Sequence, residues 1–180
     1  MTTGVGLRCW LDCVAECNYD AGLWFGTQCS SFVGLCRSGH MRSAENGYWG
    51  QRKKSFVGLG NLMMVVTSLV MAVGYWSGCN PVLEQPSGSV MPRCEPLHSV
   101  LTFIGASKHT CWLGAFGGES PKPLQLLSPR DLSQLERGRP PAAAWTKLCT
   151  VKGTVYRGSY ALKSSQTYPY LDLITHRKDI

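Results

Sequence analysis

Two side chains in this sequence combine a reactive type with a position at which chemistry could occur. Cys29 follows the apolar run Gly22-Leu23-Trp24-Phe25-Gly26 and sits among Thr27, Gln28, Ser30 and Ser31. A thiolate attacks only where a substrate can reach it, and a loop of small residues leaving a strand offers that access. Glu84 closes a second apolar run, Pro81-Val82-Leu83, directly before Gln85-Pro86-Ser87-Gly88-Ser89, a turn by composition. Desolvation at such a strand end favours the protonated carboxyl, which can hold a proton or hydrogen-bond a ring. The plainer readings stand beside these: Cys29 as a buried thiol, Glu84 as a turn cap or the partner of an arginine. Pairing Cys29 with His109 as a thiol protease fails, because Cys29 is followed by Ser-Ser-Phe and no Cys-Gly-Ser-Cys-Trp stretch occurs. Cys9, Cys13 and Cys17 fall at i, i+4 and i+8 on one helical face. No fourth ligand follows at a zinc-type spacing, so they read as small packing residues and no metal is expected.

The elements that would position Cys29 and Glu84 alternate along the chain. A helix is expected over Leu7 to Asn18, a strand over Gly22 to Gly26, a helix over Phe56 to Trp76 and a strand over Pro81 to Glu84. A helix over Leu97 to Ala106, strands over Cys111 to Phe116 and Leu124 to Leu127, and a helical turn within Asp131 to Arg137 follow. This alternation predicts an α/β fold with a parallel sheet, in which ligands sit beyond the carboxyl ends of the strands. Cys29, Glu84 and the loop from Gly117 to Lys122 each come just after a strand, so one rim could gather them.

With 180 residues the chain has room for one compact domain, and 44% apolar against 16% charged residues excludes the composition of a disordered chain. The domain plan expected is a short N-terminal helix over 1–20, an α/β core over 21–150 and a basic, partly irregular tail over 151–180. The net charge is +7, and residues 120–180 hold ten basic against four acidic groups. Such an excess attracts polyanions. A second basic stretch, Arg37 to Lys54, reads as an exposed loop with five Lys or Arg and one Glu. Nine cysteines in a chain of this length suit a reduced, intracellular protein, and Asp12 and Glu16 interrupt any signal-peptide pattern.

From Phe56 to Trp76 no residue is charged, and Arg52, Lys53 and Lys54 stand just before it. Positive flanks and terminal aromatics suit a membrane span, and a single-pass protein spanning 56–76 is one alternative. The strongly apolar part, Leu62 to Trp76, is short for a span, so the preferred expectation is a helix buried against the sheet.

Thr27-Gln28-Cys29-Ser30-Ser31-Phe32 resembles the Pro-Pro-Cys loop of the C5-cytosine DNA methyltransferases, and Val82-Leu83-Glu84-Gln85-Pro86 resembles their Glu-Asn-Val stretch. Trp112 to Leu124 is similar to their later aromatic-glycine, basic and strand segment. Together with Leu-Lys-Ser-Ser-Gln-Thr-Tyr-Pro near the end, the pattern resembles divergent, N-terminally short, protist-type members of that family. The resemblance implies a partial Rossmann-like methyltransferase domain that takes S-adenosylmethionine as cofactor and DNA as partner, and so an intracellular, nuclear location. In the family a cysteine adds to C6 of a flipped cytosine while a glutamate contacts N3, roles that would fall to Cys29 and Glu84. Arg37, Arg42, Arg52, Lys53, Lys54 and Lys122 would grip the phosphates. Gln28 stands for the second proline and Gln85 for the asparagine, and nothing before Leu23 resembles the Phe-x-Gly-x-Gly cofactor loop. A non-catalytic nucleic-acid-binding domain of the same fold is therefore the other alternative.

Overall fold

A computed structural model of the chain describes residues 4–34, 37–116, 122–139, 150–151 and 154–155. Its contacts divide the chain into two units, one formed by Met1–Lys108 with Gln125–Leu132 and the other by His109–Leu124 with Ser133–Ile180. The elements in order are α1 (Gly4–Ala15), β1 (Gly22–Phe25), a single helical turn α2 (Arg37–His40), α3 (Ser55–Trp76), β2 (Asn80–Pro86), α4 (Glu95–Phe103), β3 (Ser107–Trp112) and β4 (Pro123–Ser128). Two short strands, β5 (Thr150–Val151) and β6 (Thr154–Val155), pair antiparallel. The rest of the expected tail beyond 151, and Gly117 to Pro121 of the expected rim loop, lie outside the described residues.

The fold is mixed α/β. Four strands form a sheet in the order β1-β2-β4-β3, and β1 runs parallel to β2, with Gly22 opposite Asn80 and Phe25 opposite Leu83. The connection between these two carries α3, the crossover that a parallel pair needs. The sheet as a whole is mixed, not parallel throughout as the alternation predicts. Only ten residues, 113–122, join β3 to β4, fewer than the dozen or so of a parallel crossover. β1 lies at an edge of the sheet, with β2 as its one neighbour among the described residues.

In the first unit, Val14 of α1, Phe25 of β1, Met64, Val70 and Met71 of α3, Leu83 of β2, Leu97 and Leu101 of α4 and Leu127 of β4 share one core. α3 is long and apolar enough by composition to cross a membrane, and one face of it packs into this core. Its Gly74 lies so close to β1 that a Cβ there would collide with the Leu23 side chain. Trp10 of α1 stacks on Phe25 with ring centroids 6.2 Å apart, while Arg8 and Asp12 point outward. Cys9 and Cys13 are exposed on that outward side and are not the packing residues that their spacing suggested. The apolar stripe of α1 runs through Leu7, Trp10, Leu11 and Val14 instead.

Two element boundaries differ from those read in the sequence. Gly105 adopts φ 64, a left-handed conformation that ends α4 in a tight turn, so β3 starts at Ser107 and is complete by Trp112. Leu113–Phe116, expected in the strand, forms a 3-10 turn. In the second unit, His109 Nδ1 and Glu136 Oε1 approach to 2.9 Å, and Arg137 and Arg139 lie over the rings of Phe116 and Trp112 at 4.6 and 5.5 Å.

Candidate functional site

Because β1 and β2 are parallel neighbours, their carboxyl ends face the same way. Continuing the register beyond Phe25 and Leu83 sets Gly26 beside Glu84. The contact is direct, since a Cβ built on Gly26 would lie 3.8 Å from Glu84 Oε2. Glu84 is buried, and Cys29 is half-buried in the loop that leaves β1. Both residues thus belong to the chain segments at one end of one strand pair.

That end is held by side-chain amides. Gln85 is fully buried, donates from Nε2 to the carbonyl of Thr27 at 2.7 Å, and accepts from the hydroxyl of Ser89 at 2.9 Å. Gln125 of β4 donates to the carbonyls of Pro86 and Ser89 at 3.0 and 3.2 Å. The Thr27 hydroxyl meets that of Thr67 on α3 at 2.7 Å. These bonds use polar groups that burial would otherwise leave unpaired, and they fix where the loop bearing Cys29 leaves the sheet. Beside this loop is a cavity of about 150 Å³ lined by Trp10, Trp24, Phe25, Gly26, Thr27, Met63, Val66, Thr67 and Val70. Gln85 lies within the stretch that resembles Glu-Asn-Val, but its amide bridge was not expected, and Gln125 and Thr67 carry no motif. The signal for them is the physical rule that a buried amide or hydroxyl must find partners.

The basic stretch from Arg37 to Lys54 is not one exposed loop. Arg42 is only 4% exposed. Its Nε donates to the Ser31 carbonyl at 2.6 Å, Nη1 to the Tyr48 carbonyl at 2.6 Å and Asn61 Oδ1 at 2.8 Å, and Nη2 to the Ser31 hydroxyl at 2.9 Å. The guanidinium also lies 3.7 Å from the Phe32 ring centroid. Nη2 also reaches the Val57 carbonyl at 3.5 Å, so all five donors are engaged within the protein; Arg42 organises the loop and is withdrawn from the expected phosphate grip. Burial pulls its pKa below the ordinary arginine value. His40 is buried with it. The His40 Nδ1 accepts from the Arg42 amide at 2.9 Å, which assigns the ring proton to Nε2, donating to the Val33 carbonyl at 3.1 Å. Gly50 closes the loop at φ 65, where a Cβ would collide with the His40 carbonyl.

The other expected cations are dispersed. Arg52 and Lys53 are exposed and Lys54 half-buried, all three immediately ahead of α3, with Arg52 over the Trp49 ring at 4.9 Å. Arg37 begins α2. Lys122 is half-buried in the second unit, where its carbonyl accepts from the Leu113 amide at 3.0 Å. The strand pair therefore places Glu84 and the loop that carries Cys29 at one end of the sheet, and the sequence itself brings together Arg52, Lys53 and Lys54. Comparison with protein-family models, with curated proteins and with solved structures finds no match for this chain.

Proposed function

We propose that the chain is a degenerate C5-cytosine methyltransferase-like domain, partly Rossmann-like, that engages DNA and offers Cys29 and Glu84 to an extruded cytosine. The single observation that supports this reading is the parallel β1–β2 pair, whose carboxyl ends carry the thiol loop and the buried carboxyl. Arg52, Lys53 and Lys54 supply exposed or half-exposed positive charge for phosphate contacts.

The chemistry asked of these groups is a reversible addition. The Cys29 thiolate forms a bond to C6, the C5=C6 pair moves to C4=C5, and the C4=N3 pair takes the proton of Glu84. Loss of the thiolate reverses each step, so the addition needs no further reactant. S-adenosylmethionine, the cofactor implied by the resemblance, does not fit the cavity beside Gly26 and Thr27. About 150 Å³ with no charged lining residue is too small for a ligand of that class, whose sites run to roughly 300–1,000 Å³, and holds nothing for its amino-acid group.

The test is covalent trapping on duplex DNA carrying a 2-pyrimidinone in place of the target cytosine. The wild type is expected to form a denaturant-stable adduct and Cys29→Ser to form none. Salt-sensitive binding that survives Cys29→Ser, with no adduct in the wild type, would leave the non-catalytic DNA-binding domain as the function. Equal trapping by both proteins, or binding insensitive to salt, would remove the proposal.

A further inference from the structure

α3 presents two apolar faces, and the core uses only one. Val57, Met64, Val70 and Met71 are buried, while Leu59, Leu62, Val65, Leu69 and Trp76 recur at spacings of three, three, four and seven residues on the opposite side and stay exposed. Leu62 and Leu69 are 44% and 46% exposed, and Trp76 83%. Tyr75 carries the surface on to α4, its ring edge-on to Phe103 at 6.2 Å, and Phe103 is 61% exposed. Surface helices put charged residues outward, as α1 does with Arg8 and Asp12. α3 has no charged residue in 22 positions. Scattered exposed leucines need no explanation, whereas a continuous stripe of this kind marks something that covers it.

The charges next to the stripe indicate what covers it. Arg52, Lys53 and Lys54 come directly before Ser55, so the stripe has a cluster of cations at one end and Trp76 at the other. A basic cluster beside an apolar helical face, with an aromatic at the boundary, matches the two layers of an anionic bilayer surface. The cations meet the headgroups and the leucines enter the acyl boundary. A second copy of this chain seated on the stripe would be matched by its apolar part and not by its cations. We infer that this face of α3 docks on an anionic lipid surface, with the helix lying in the interface and its other face still in the protein core. Over Leu59 to Trp76 the stripe is about 25 Å long at 1.5 Å per residue, enough to lie along a membrane as a seat.

Vesicle flotation tests this with phosphatidylcholine alone and with phosphatidylcholine mixed with phosphatidylserine. The full chain is expected to partition at least about tenfold more strongly onto the anionic vesicles, since each juxtamembrane cation adds attraction. Arg52→Gln with Lys53→Gln should bring binding down to the neutral-vesicle level, and Leu62→Gln with Leu69→Gln should abolish it on both. All four side chains are exposed, and circular dichroism and melting of the variants confirm that the fold survives. The leucine variant should still be trapped on 2-pyrimidinone DNA, so failure here is readable apart from failure of the DNA reading. Absence of vesicle binding by the wild type, equal binding to both compositions, or unchanged binding by the leucine variant would overturn the inference. A wild-type dimer that the leucine variant dissociates, with no vesicle binding, would also overturn it and assign the stripe to a second copy.

Discussion

The buried amide of Gln85 reaches across from β2 to the carbonyl of Thr27 at 2.7 Å and so ties the exit of β1 to the end of β2. The same side chain takes the Ser89 hydroxyl at 2.9 Å, so one residue serves both the thiol loop and the turn after Glu84. Gln85→Ala would leave the Thr27 carbonyl without this donor and the Ser89 hydroxyl without its acceptor, the hydroxyl still accepting from the Met91 amide at 3.3 Å. A loss of about 2–6 kcal/mol in urea unfolding is expected, given 1–3 kcal/mol for each orphaned group. Reactivity of Cys29 toward alkylation should change with it, whereas a residue that merely filled space would alter stability alone.

Arg42 is a cation held by carbonyls, a hydroxyl, an amide oxygen and a ring. Removing it in Arg42→Ala orphans several of these at once, and a destabilisation on the order of 3–5 kcal/mol is expected. Arg42→Lys should recover only a small part, because a single ammonium cannot copy the planar fork of donors. Thermal melting of the two variants checks this. DNA affinity measured under conditions where Arg42→Lys is folded should stay at the wild-type level.

The thiols should react in an order set by exposure. Cys9 and Cys13 are exposed and Cys29 is half-buried, whereas Cys79, Cys94 and Cys111 are buried. Burial pushes the Cys94 thiol up to about 11, with Arg42 opposing the shift but not cancelling it. Near pH 8 only about a thousandth of that thiol is ionised, and thiolate is the reactive form. Mass spectrometry after brief alkylation should find Cys9 and Cys13 modified first, Cys29 next and Cys94 only after denaturant. Modification of Cys94 ahead of Cys29 in the native protein would contradict the arrangement.

That raised thiol also sets a pH dependence. A folded pKa of about 11 against the ordinary 9.0 means that the folded state holds the proton more tightly. The associated stability is complete below pH 9 and is lost as pH rises toward 11. Cys94→Ala should flatten the alkaline limb of a stability profile, though it lowers stability at neutral pH by leaving a small void.

Asp20 and Arg130 supply the acid counterpart. The Arg130 Nη2 lies 2.6 Å from Asp20 Oδ2, and Asn80 donates to Oδ1 at 2.7 Å. The Arg130 hydrogen bond, then that of Asn80, lowers the Asp20 pKa below its ordinary 3.8. A depressed carboxylate pKa contributes stability that is present above about pH 4 and disappears as pH falls through the folded value. The pair is exposed to solvent, so its effect is small and salt-sensitive. Asp20→Asn should remove that small acid-dependent component at low ionic strength and have no effect on the alkaline limb.

The sequence was most legible where a pattern had one physical solution. An uncharged run of apolar residues after three cations could only be a long helix, and α3 begins one residue ahead of the expected start. The two short apolar runs ahead of Cys29 and Glu84 are the neighbouring strands that the alternation required. Where composition and environment part company, the reading failed. Arg42 and His40 look like loop residues, and nothing local says that the chain folds back over them at Gly50. Cys9 and Cys13 share a helical face as expected, but Trp10 is far larger and decides which face turns inward. The mixed sheet agrees with the short β3–β4 connection, a constraint of length that an alternation of apolar runs does not carry.

The outermost strand has a consequence for how the chain behaves in company. Among the described residues β1 lies at the edge of the sheet and is only four residues long. Ahead of it Asp20 turns to φ 70, outside the extended range, and behind it the chain leaves the sheet at Gly26. A stray strand would find too short a template to zip along before the rail ends on both sides. Amyloid-like growth from this border is thereby discouraged.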